Sequence, residues 1–291
     1  MGTVFAYHLA AENDVTVVDV RGELVDTINV EGVCLDDGPA RKVVATRDPS
    51  RAFATNYLFV FVKAPNTLSA VRPFTGQLNP ATPIVSLQNG LGNEDAIKAA
   101  LGGQVPLVIG ITNVAATALG HGRSRRLGSG STVVGSGGAA PDTVRAVQTL
   151  LQRGGLDASA AYDIRPHLWG KLIANAAINP VAALLNAKNS IVTDDPNAAE
   201  LARSLALEGA AVAKALRINL PFGEPWEYVR DVVASSQGRN SMTIDLEARA
   251  KTEIDYINGA IVVAGRRAGV PTPYNEAILR LVKASENVPA D

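Results

Sequence analysis

A regularly spaced set of polar side chains interrupts an otherwise apolar stretch, KLIANAAINPVAALLN, at residues 171–186. Lys171, Asn175 and Asn179 recur at intervals of four, so a helix would place all three on one face. An ammonium group there can stabilise a developing alkoxide and donate a proton to it, while neutral carboxamides orient a substrate. Each residue alone is also compatible with a structural role. Three in register within an Ala-rich helix make a purely structural role less favoured. Pro180 predicts a kink just after Asn179.

An acidic residue lies on the apolar stripe of a second predicted helix, residues 241–268. Glu253 falls in the middle of this stripe, and a carboxylate that faces a core requires a cation or hydrogen-bond donors. Lys171 is the candidate partner, because a carboxylate beside it would keep the amine protonated before reaction. Asn240 and Ser241, at the start of the same predicted helix, are either helix caps or donors to a ligand carboxylate.

A third polar candidate follows a predicted strand in the segment SLQNGLGNED, residues 86–95. Ligands of open α/β sheets bind at the carboxyl ends of the strands, and Asn89 stands at such an end. Asn89 therefore either faces a cofactor and a substrate or forms a simple turn with Gly90.

The first residues predict a helix, a turn and then a strand at residues 14–20. A dinucleotide-binding unit has a strand and a glycine-rich turn before that helix. Gly2 is therefore either the last glycine of a G-x-G-x-x-G motif, which we favour, or an ordinary residue next to the start. On the favoured interpretation we expect the sheet to lack its central strand and most of its phosphate-binding turn. At the end of strand 14–20, Asp19 would suit the ribose hydroxyl of NAD and Arg21 the extra phosphate of NADP; either could also be a solvated strand end.

These candidates are set in a chain whose two halves differ. The first half alternates strand and helix patterns, which predicts an α/β fold with a doubly wound, Rossmann-like sheet. Strands are predicted at 14–20, 42–46, 57–62, 83–88 and 105–110, antiparallel strands at the sheet edge within 111–136, a helix at 141–155 and a last strand at 157–162. The second half predicts helices only, at 166–186, 197–217, 224–236, 241–268 and 273–286. We therefore expect a dinucleotide-binding domain over 1–163 and an all-helical substrate and catalytic domain over 164–291.

Composition narrows the class of function. The chain of 291 residues has a formal net charge of −1 and 47 % apolar residues, which argues for a packed globular protein without a basic surface for nucleic acid or membranes. Cys34 is the only cysteine, and His8, His121 and His167 are far apart in sequence, so neither a disulfide nor a metal site is expected. Because no apolar run reaches the length of a membrane span and no signal peptide is evident, we expect a cytoplasmic protein.

Four segments together resemble the ketopantoate reductase (2-dehydropantoate 2-reductase) family. They are QNGLGNED, GRSRRLGSGSTVVG, LWGKLIANAAINPVAALLNAKNS and NSMTIDLEARAKTEIDYING. They occur in the family's order, and the resemblance extends over essentially the whole chain. The resemblance implies reduction of ketopantoate to pantoate by NADPH, on the route to pantothenate and coenzyme A. It also implies a Rossmann domain followed by a helical domain, and a possible homodimer.

The resemblance also implies roles for individual residues. Lys171 matches the proton donor and, with Glu253, forms the predicted catalytic pair. The predicted substrate-binding residues are Asn89, Asn175, Asn179, Asn189 and Ser241. The predicted cofactor-binding residues are Gly2, Arg21, Lys63, Asn89, Ala116 and Glu253. Arg21 favours NADPH, whereas Asp19 leaves NADH possible; a related enzyme for another 2-keto acid, or a chain with impaired cofactor binding and no activity, are the alternatives.

Overall fold

The structure, a computed structural model, describes residues 1–128, 130–236 and 238–288. One position of the predicted strand region 111–136 and the end of the predicted second domain fall outside these ranges. The chain forms two compact units. The first comprises Met1–Gln88 and Asn93–Ile164, and the second comprises Asn89–Gly92 together with the chain from Arg165 onward.

The described residues of the first unit form three β-sheets. The strands are β1 (Thr16–Val18), β2 (Cys34–Leu35), β3 (Val44–Thr46), β4 (Leu58–Val60), β5 (Ile84–Ser86), β6 (Leu107–Thr112), β7 (Ala116–Gly120), β8 (Arg123–Arg126), β9 (Thr132–Ser136) and β10 (Ala158–Ala160). The largest sheet has the order β10-β9-β6-β5-β4, and β1 pairs with β3 in a separate two-stranded sheet. The short, continuous apolar runs of the sequence thus become strands at each predicted place.

The two larger groups of parallel strands are those expected of a Rossmann-like unit. Here β1 is parallel to β3, and β4, β5 and β6 are mutually parallel, as strands of such a unit are. Within the described ranges, β1 pairs only with β3 and β4 only with β5, which leaves one unpaired edge on each.

The antiparallel region differs in part from the sequence prediction. β9 does join the main sheet, antiparallel to β6, and β10 is parallel to β9. The hairpin of β7 and β8, however, does not extend that sheet; it pairs with β2 in a separate three-stranded sheet. The reason is β2, a buried strand of two residues, Cys34–Leu35, which is too short to produce a recognisable pattern.

Within the ranges that the structure describes, five α-helices pack around these sheets. They are α1 (Gly2–Leu9), α2 (Gly22–Glu31), α3 (Thr67–Val71), α4 (Asn93–Leu101) and α5 (Pro141–Arg153). α1 packs against the segment after β4 through Phe5. This side chain is fully buried, and its ring centroid lies 4.6 Å from that of Phe61. Apolar burial of this kind stabilises the packing of α1 against the strands.

The second unit is helical, as predicted. Its helices are α6 (Arg165–Leu184), α7 (Ile191–Asp194), α8 (Pro196–Ala215), α9 (Pro225–Ser235), α10 (Ser241–Glu247), α11 (Asn258–Ala268) and α12 (Pro273–Ser285). α6 and α8 pack closely at Gly209, where an added Cβ would come within 2.9 Å of the Ile173 side chain. Among the helices that the structure describes, none has the length and hydropathy needed to cross a bilayer.

The predicted continuous helix over 241–268 is wrong. α10 ends at Glu247, Arg249 adopts a positive φ of 53°, and the chain re-forms a helix only at Asn258. A short 3₁₀ turn, Ile254–Tyr256, lies in between. No glycine or proline marks this break, so the helical spacing of the apolar residues concealed it.

Candidate active site

The three polar residues of the 171–186 stretch lie on α6, as their spacing predicts. Lys171 and Asn175 are partly buried, and Asn179 is buried. Most of the intervening residues of α6 are apolar and buried in the core of the second unit. Because residues four apart share a helix face, the ammonium and the two carboxamides form one polar line along this helix.

Burial changes the acidity of the Lys171 ammonium. Loss of hydration lowers the pKa of Lys171 to about 8, and the negative charge of Glu253 opposes this shift without cancelling it. The charge of Glu253 therefore favours the protonated form of Lys171. An amine with a pKa near neutrality is well suited to giving up and regaining a proton, because the best proton-transfer groups titrate close to the working pH.

Glu253 lies in the irregular segment between α10 and α11, directly before the 3₁₀ turn. Its neighbour Thr252 is fixed by Glu286, whose carboxylate accepts the Thr252 N–H at 2.9 Å and the Thr252 hydroxyl at 2.7 Å. Lys251 adds an ion pair to the same carboxylate at 3.1 Å. Burial alone would raise the pKa of Glu286, but the bonds from Thr252 and Lys251 outweigh it and lower that pKa. The segment that carries Glu253 is thus held by a charged group.

Asn89 belongs to the same unit as Lys171 and Glu253. The segment Asn89–Gly92 is docked through the Leu91 N–H, which donates to the carbonyl oxygen of Tyr256 at 2.9 Å. Gly90 allows this approach, because its φ is +79° and an added Cβ would lie 2.3 Å from that same oxygen. The Asn-Gly pair therefore does form a turn, and the turn brings Asn89 to the segment that carries Glu253.

Two further predicted substrate-binding residues lie near the start of α10. Asn189 is buried, its Nδ2 donates to the Ser236 carbonyl at 2.9 Å, and its Oδ1 accepts from Asn240 at 2.8 Å. Asn240 caps α10 by accepting the Thr243 N–H at 3.0 Å, which settles its role as a cap. Ser241 is exposed at the first residue of α10. The substrate roles of Asn189 and Ser241 stay predictions.

The N-terminus of α1 has the features of a phosphate-binding site. α1 begins at Gly2, no side chain caps its first turn, and that turn contains no acidic residue. The free N–H groups of such a turn and the helix dipole attract anions. This end of α1 therefore fits a pyrophosphate.

At the end of β1 the two predicted specificity residues bind each other. The Arg21 guanidinium donates to both carboxylate oxygens of Asp19, at 3.0 and 2.9 Å, and the Arg21 N–H adds a bond of 2.9 Å. These bonds from Arg21 hold the pKa of Asp19 below its usual value, and the bond to Asp19 raises the pKa of Arg21. Both groups are therefore charged at neutral pH and lie side by side where a ribose of the cofactor is expected.

The remaining predicted cofactor residues divide between the units. Lys63 is exposed directly before the 3₁₀ turn Ala64–Asn66, and Ala116 is partly buried on β7; both belong to the first unit, as do Gly2 and Arg21. Asn89 and Glu253 belong to the second unit. Within the described ranges, no group of three or more His, Cys, Asp or Glu side chains could hold a metal ion.

Sequence reasoning missed the residues that hold the site in place. Tyr256, Glu286 and Asn258 bond, respectively, to the Asn89 segment, the Glu253 segment and helix α6. Tyr256 and Asn258 lie within the TEIDYING motif, so the motif itself was the available signal. Glu286 gave none, because an acidic residue at the end of a helix ordinarily faces solvent.

Two family descriptions match the chain. "Ketopantoate reductase PanE/ApbA" matches residues 1–138, and "Ketopantoate reductase PanE/ApbA C terminal" matches residues 163–286. The chain is also similar to the 2-dehydropantoate 2-reductase of Pyrobaculum aerophilum, with 34 % identity over 99 % of this chain and 95 % of that protein.

Two solved structures have a fold similar to that of this chain. A PanE/ApbA family ketopantoate reductase from Ralstonia eutropha JMP134 superposes with a TM-score of 0.88 and 26 % identity, covering 97 % of this chain and 94 % of that one. A D-mandelate dehydrogenase, solved with NADH and anilino(oxo)acetate, superposes with a TM-score of 0.86 and 25 % identity, covering 99 % and 96 %.

Proposed function

Because the chain belongs to the ketopantoate reductase family, we propose that it reduces 2-dehydropantoate to pantoate with NADPH, as a step of pantothenate biosynthesis. The family makes it an oxidoreductase that acts on a small molecule and uses a nicotinamide dinucleotide. The substrate, the choice of NADPH and the residue roles below are the proposal. One observation carries the chemistry: a partly buried ammonium on α6, whose pKa is lowered by burial to about 8 and raised in part by the charge of Glu253.

Lys171 is the proposed proton donor. Reduction of a 2-keto acid places negative charge on the carbonyl oxygen, and an ammonium beside that oxygen stabilises the charge and then transfers its proton. Partial burial strengthens this electrostatic effect, because fewer water molecules screen it. Glu253 opposes the loss of the Lys171 proton before the substrate arrives, since its charge raises the pKa that burial lowers.

The carboxamides on the same helix are the proposed substrate-orienting groups. Asn175 and Asn179 follow Lys171 on one face of α6 and carry no charge. They therefore hydrogen-bond a hydroxyl or carboxylate of the substrate without competing with the ammonium for the carbonyl oxygen. Asn89, Asn189 and Ser241 are proposed to complete the set.

The first unit supplies residues that fit the cofactor. The uncapped start of α1 at Gly2 suits the pyrophosphate, and Arg21 suits the ribose phosphate that distinguishes NADPH from NADH. Lys63 and Ala116 are proposed as further contacts. When bound, NADPH supplies the hydride that reduces the keto carbon. NADH stays a second candidate cofactor. Asp19, which suits the ribose hydroxyl of NAD, lies beside Arg21 and is bonded to it.

The direct test is a steady-state assay of NADPH oxidation by the purified chain with 2-dehydropantoate. Lys171→Ala should lower turnover by roughly 10²–10⁴, the usual contribution of a positioned acid. Lys214→Ala is the matched control, because Lys214 is exposed at the end of α8. Turnover in Lys171→Ala equal to that of the control would remove Lys171 from the mechanism, and absence of turnover in the unmodified chain would refute the proposed reaction.

A second candidate substrate class is supported by one comparison. The similarity to D-mandelate dehydrogenase extends over nearly the whole chain, so an aryl or branched 2-keto acid also suits this fold. The catalytic pair would act in the same way on either substrate. A panel of 2-dehydropantoate, phenylglyoxylate and branched 2-keto acids, compared by kcat/KM with NADPH and with NADH, distinguishes the candidates.

A further inference from the structure

A proline inside α6 releases one backbone carbonyl of the helix that carries the proposed catalytic residues. In an α-helix each N–H donates to the carbonyl four residues earlier, so position 180 is the ordinary partner of position 176. Pro180 has no N–H, and the Ala176 carbonyl is left without that bond. A buried carbonyl without a donor is unfavourable, so another donor is needed there.

Asn258, at the start of α11, supplies the replacement. Its side chain is 0 % exposed, and its Nδ2 donates to the Ala176 carbonyl at 3.0 Å. Asn258 lies five residues after Glu253 on the same short segment, and Ala176 lies five residues after Lys171 on α6. One hydrogen bond therefore links the segment that carries the carboxylate to the helix that carries the ammonium.

The direction of this hydrogen bond is fixed by a chain of further bonds. Asn258 Nδ2 also donates to Asn275 Oδ1 at 3.0 Å, and Asn275 Nδ2 donates to the Glu208 carboxylate at 2.8 Å. Glu208 also accepts the backbone N–H groups of Tyr274 and Asn275, at 2.8 and 2.9 Å. A carboxylate only accepts, so Asn275 must turn its Nδ2 to Glu208 and its Oδ1 to Asn258. Asn258 in turn must present its Nδ2 towards α6.

The arrangement is not explained by packing stability alone. The Oδ1 of Asn258 is buried and lacks a hydrogen-bond partner within the described part of the chain. An apolar side chain would avoid this unsatisfied oxygen, but it would leave the Ala176 carbonyl unsatisfied instead. The asparagine thus satisfies one group at the expense of another, and what it adds is a directed connection between two segments.

We propose that Asn258 is a positioning residue, which holds the Glu253 segment in register with the Lys171 face of α6 by bonding to the carbonyl that Pro180 releases. This inference rests on the proposed function only in assigning Lys171 the role of proton donor. Asn258 touches neither substrate nor cofactor in this role. It acts through the separation of Lys171 and Glu253.

The first test compares Asn258→Leu, which keeps the approximate size and removes the donor, with Asn29→Leu. Asn29 is the matched control, because its amide also pairs with backbone, at Ala45, but in the first unit. Asn258→Leu should weaken the effect of Glu253 on Lys171, lowering the midpoint of the kcat–pH profile by about half a pH unit or more. kcat should fall on the order of 10- to 10²-fold with a smaller change in KM. Asn29→Leu should lower stability without moving the midpoint.

A substrate-free titration separates this inference from the proposed function. The pKa of Lys171 is measured by NMR in protein with ¹³C-labelled lysine, with the Lys171 signal assigned by its loss in Lys171→Arg. This midpoint should fall in Asn258→Leu even if the chain has no activity on 2-dehydropantoate. An unchanged Lys171 midpoint in Asn258→Leu overturns the inference.

A second variant tests whether Asn258 positions the Glu253 segment or only supplies a hydrogen bond to the Ala176 carbonyl. In Pro180→Ala/Asn258→Leu, the N–H of the new alanine can bond to the Ala176 carbonyl. This double variant should regain part of the stability lost in Asn258→Leu, but its Lys171 midpoint should stay low because the connection to the Glu253 segment is still absent. Recovery of both stability and midpoint would show that Asn258 only satisfies the carbonyl, and would overturn the proposal.

Discussion

The backbone N–H of Leu91 donates to the carbonyl oxygen of Tyr256 at 2.9 Å, which joins the turn after β5 to the segment that carries Glu253. Tyr256 closes the 3₁₀ turn that begins at Ile254, directly after Glu253. Asn89 is consequently part of the second unit, although the sequence places it at the end of a strand of the first. The bond makes the position of Asn89 dependent on a single close approach at Gly90.

Substitution of Gly90 should therefore disturb the site. In Gly90→Ala the new Cβ would meet the Tyr256 carbonyl oxygen at 2.3 Å, so the turn must move. We expect kcat/KM for the keto acid to fall on the order of 10- to 10²-fold, because Asn89 loses its position.

Gly76→Ala is the matched control for that substitution. Gly76 also has a positive φ, of +68°, but no atom lies within 4 Å of an added Cβ. Both variants should lose about 1–2 kcal/mol of unfolding free energy from the left-handed backbone, and only Gly90→Ala should also lose activity. Equal kinetics in the two variants would contradict the placement of Asn89 in the site.

The pKa of Lys171 predicts the pH dependence of both reaction directions. A proton donor must be protonated, so kcat for keto-acid reduction should decline as pH rises through about 8. Oxidation of the hydroxy acid needs the neutral amine and should increase through the same range. Stopped-flow or steady-state rates across this range measure both profiles.

Glu253→Gln should move these profiles. Glu253 raises the pKa of Lys171, so its neutralisation should shift the reduction midpoint to lower pH and reduce turnover at neutral pH. Asp255→Asn is the control, because Asp255 is exposed and pairs with Lys283 at 2.9 Å. A midpoint that stays near 8 in Glu253→Gln would refute the electrostatic role of Glu253.

The ammonium of Lys171 should also lower the free energy of unfolding. Its pKa is about 8 in the folded chain against an ordinary 10.5, so the unfolded chain binds the proton more readily. This penalty is fully present below about pH 8 and disappears as pH rises towards 10.5. Lys171→Met should therefore raise the free energy of unfolding at pH 7 and lose this advantage in alkaline buffer. Urea unfolding at several pH values measures the difference, with Lys214→Met as the exposed control.

The Asp19–Arg21 pair should control cofactor selectivity. Arg21→Ala should raise KM for NADPH about tenfold, equivalent to the loss of about 1.4 kcal/mol, and leave KM for NADH nearly unchanged. Asp19→Asn frees the guanidinium from its carboxylate and should shift preference towards NADPH. Arg145→Ala controls for loss of an exposed arginine that pairs with an aspartate, here Asp142. Equal changes in KM for NADPH and NADH would contradict a role of Asp19 and Arg21 in binding the ribose of the cofactor.

The strands and the polar face of α6 were accessible to sequence reasoning because each depends on local spacing. Continuous apolar runs predict buried parallel strands, and intervals of four place Lys171, Asn175 and Asn179 together on a helix. The premise for pairing Lys171 with Glu253 was wrong, because Glu253 does not lie on a helix stripe but directly before a 3₁₀ turn. The charge of Glu253 nevertheless raises the pKa of Lys171, and their joint catalytic role stays a prediction.

The remaining features depend on contacts between distant residues. The bond from Asn258 to Ala176 joins positions 82 residues apart, and those from Glu286 to Thr252 join positions 34 apart. Neither bond can be predicted from the nearby sequence. Asn258 and Glu286 alter the local pattern of polar and apolar residues no more than ordinary surface residues would. The small sheet of β2, β7 and β8 was missed for the same reason.

The unpaired edges of β1 and β4 have a consequence for handling this chain in solution. A strand with free backbone donors and acceptors along one side readily adds a strand from another molecule. Two such edges in one unit favour self-association that grows with concentration, and molecules associated in this way would precipitate or exchange strands without any damage to the helical half.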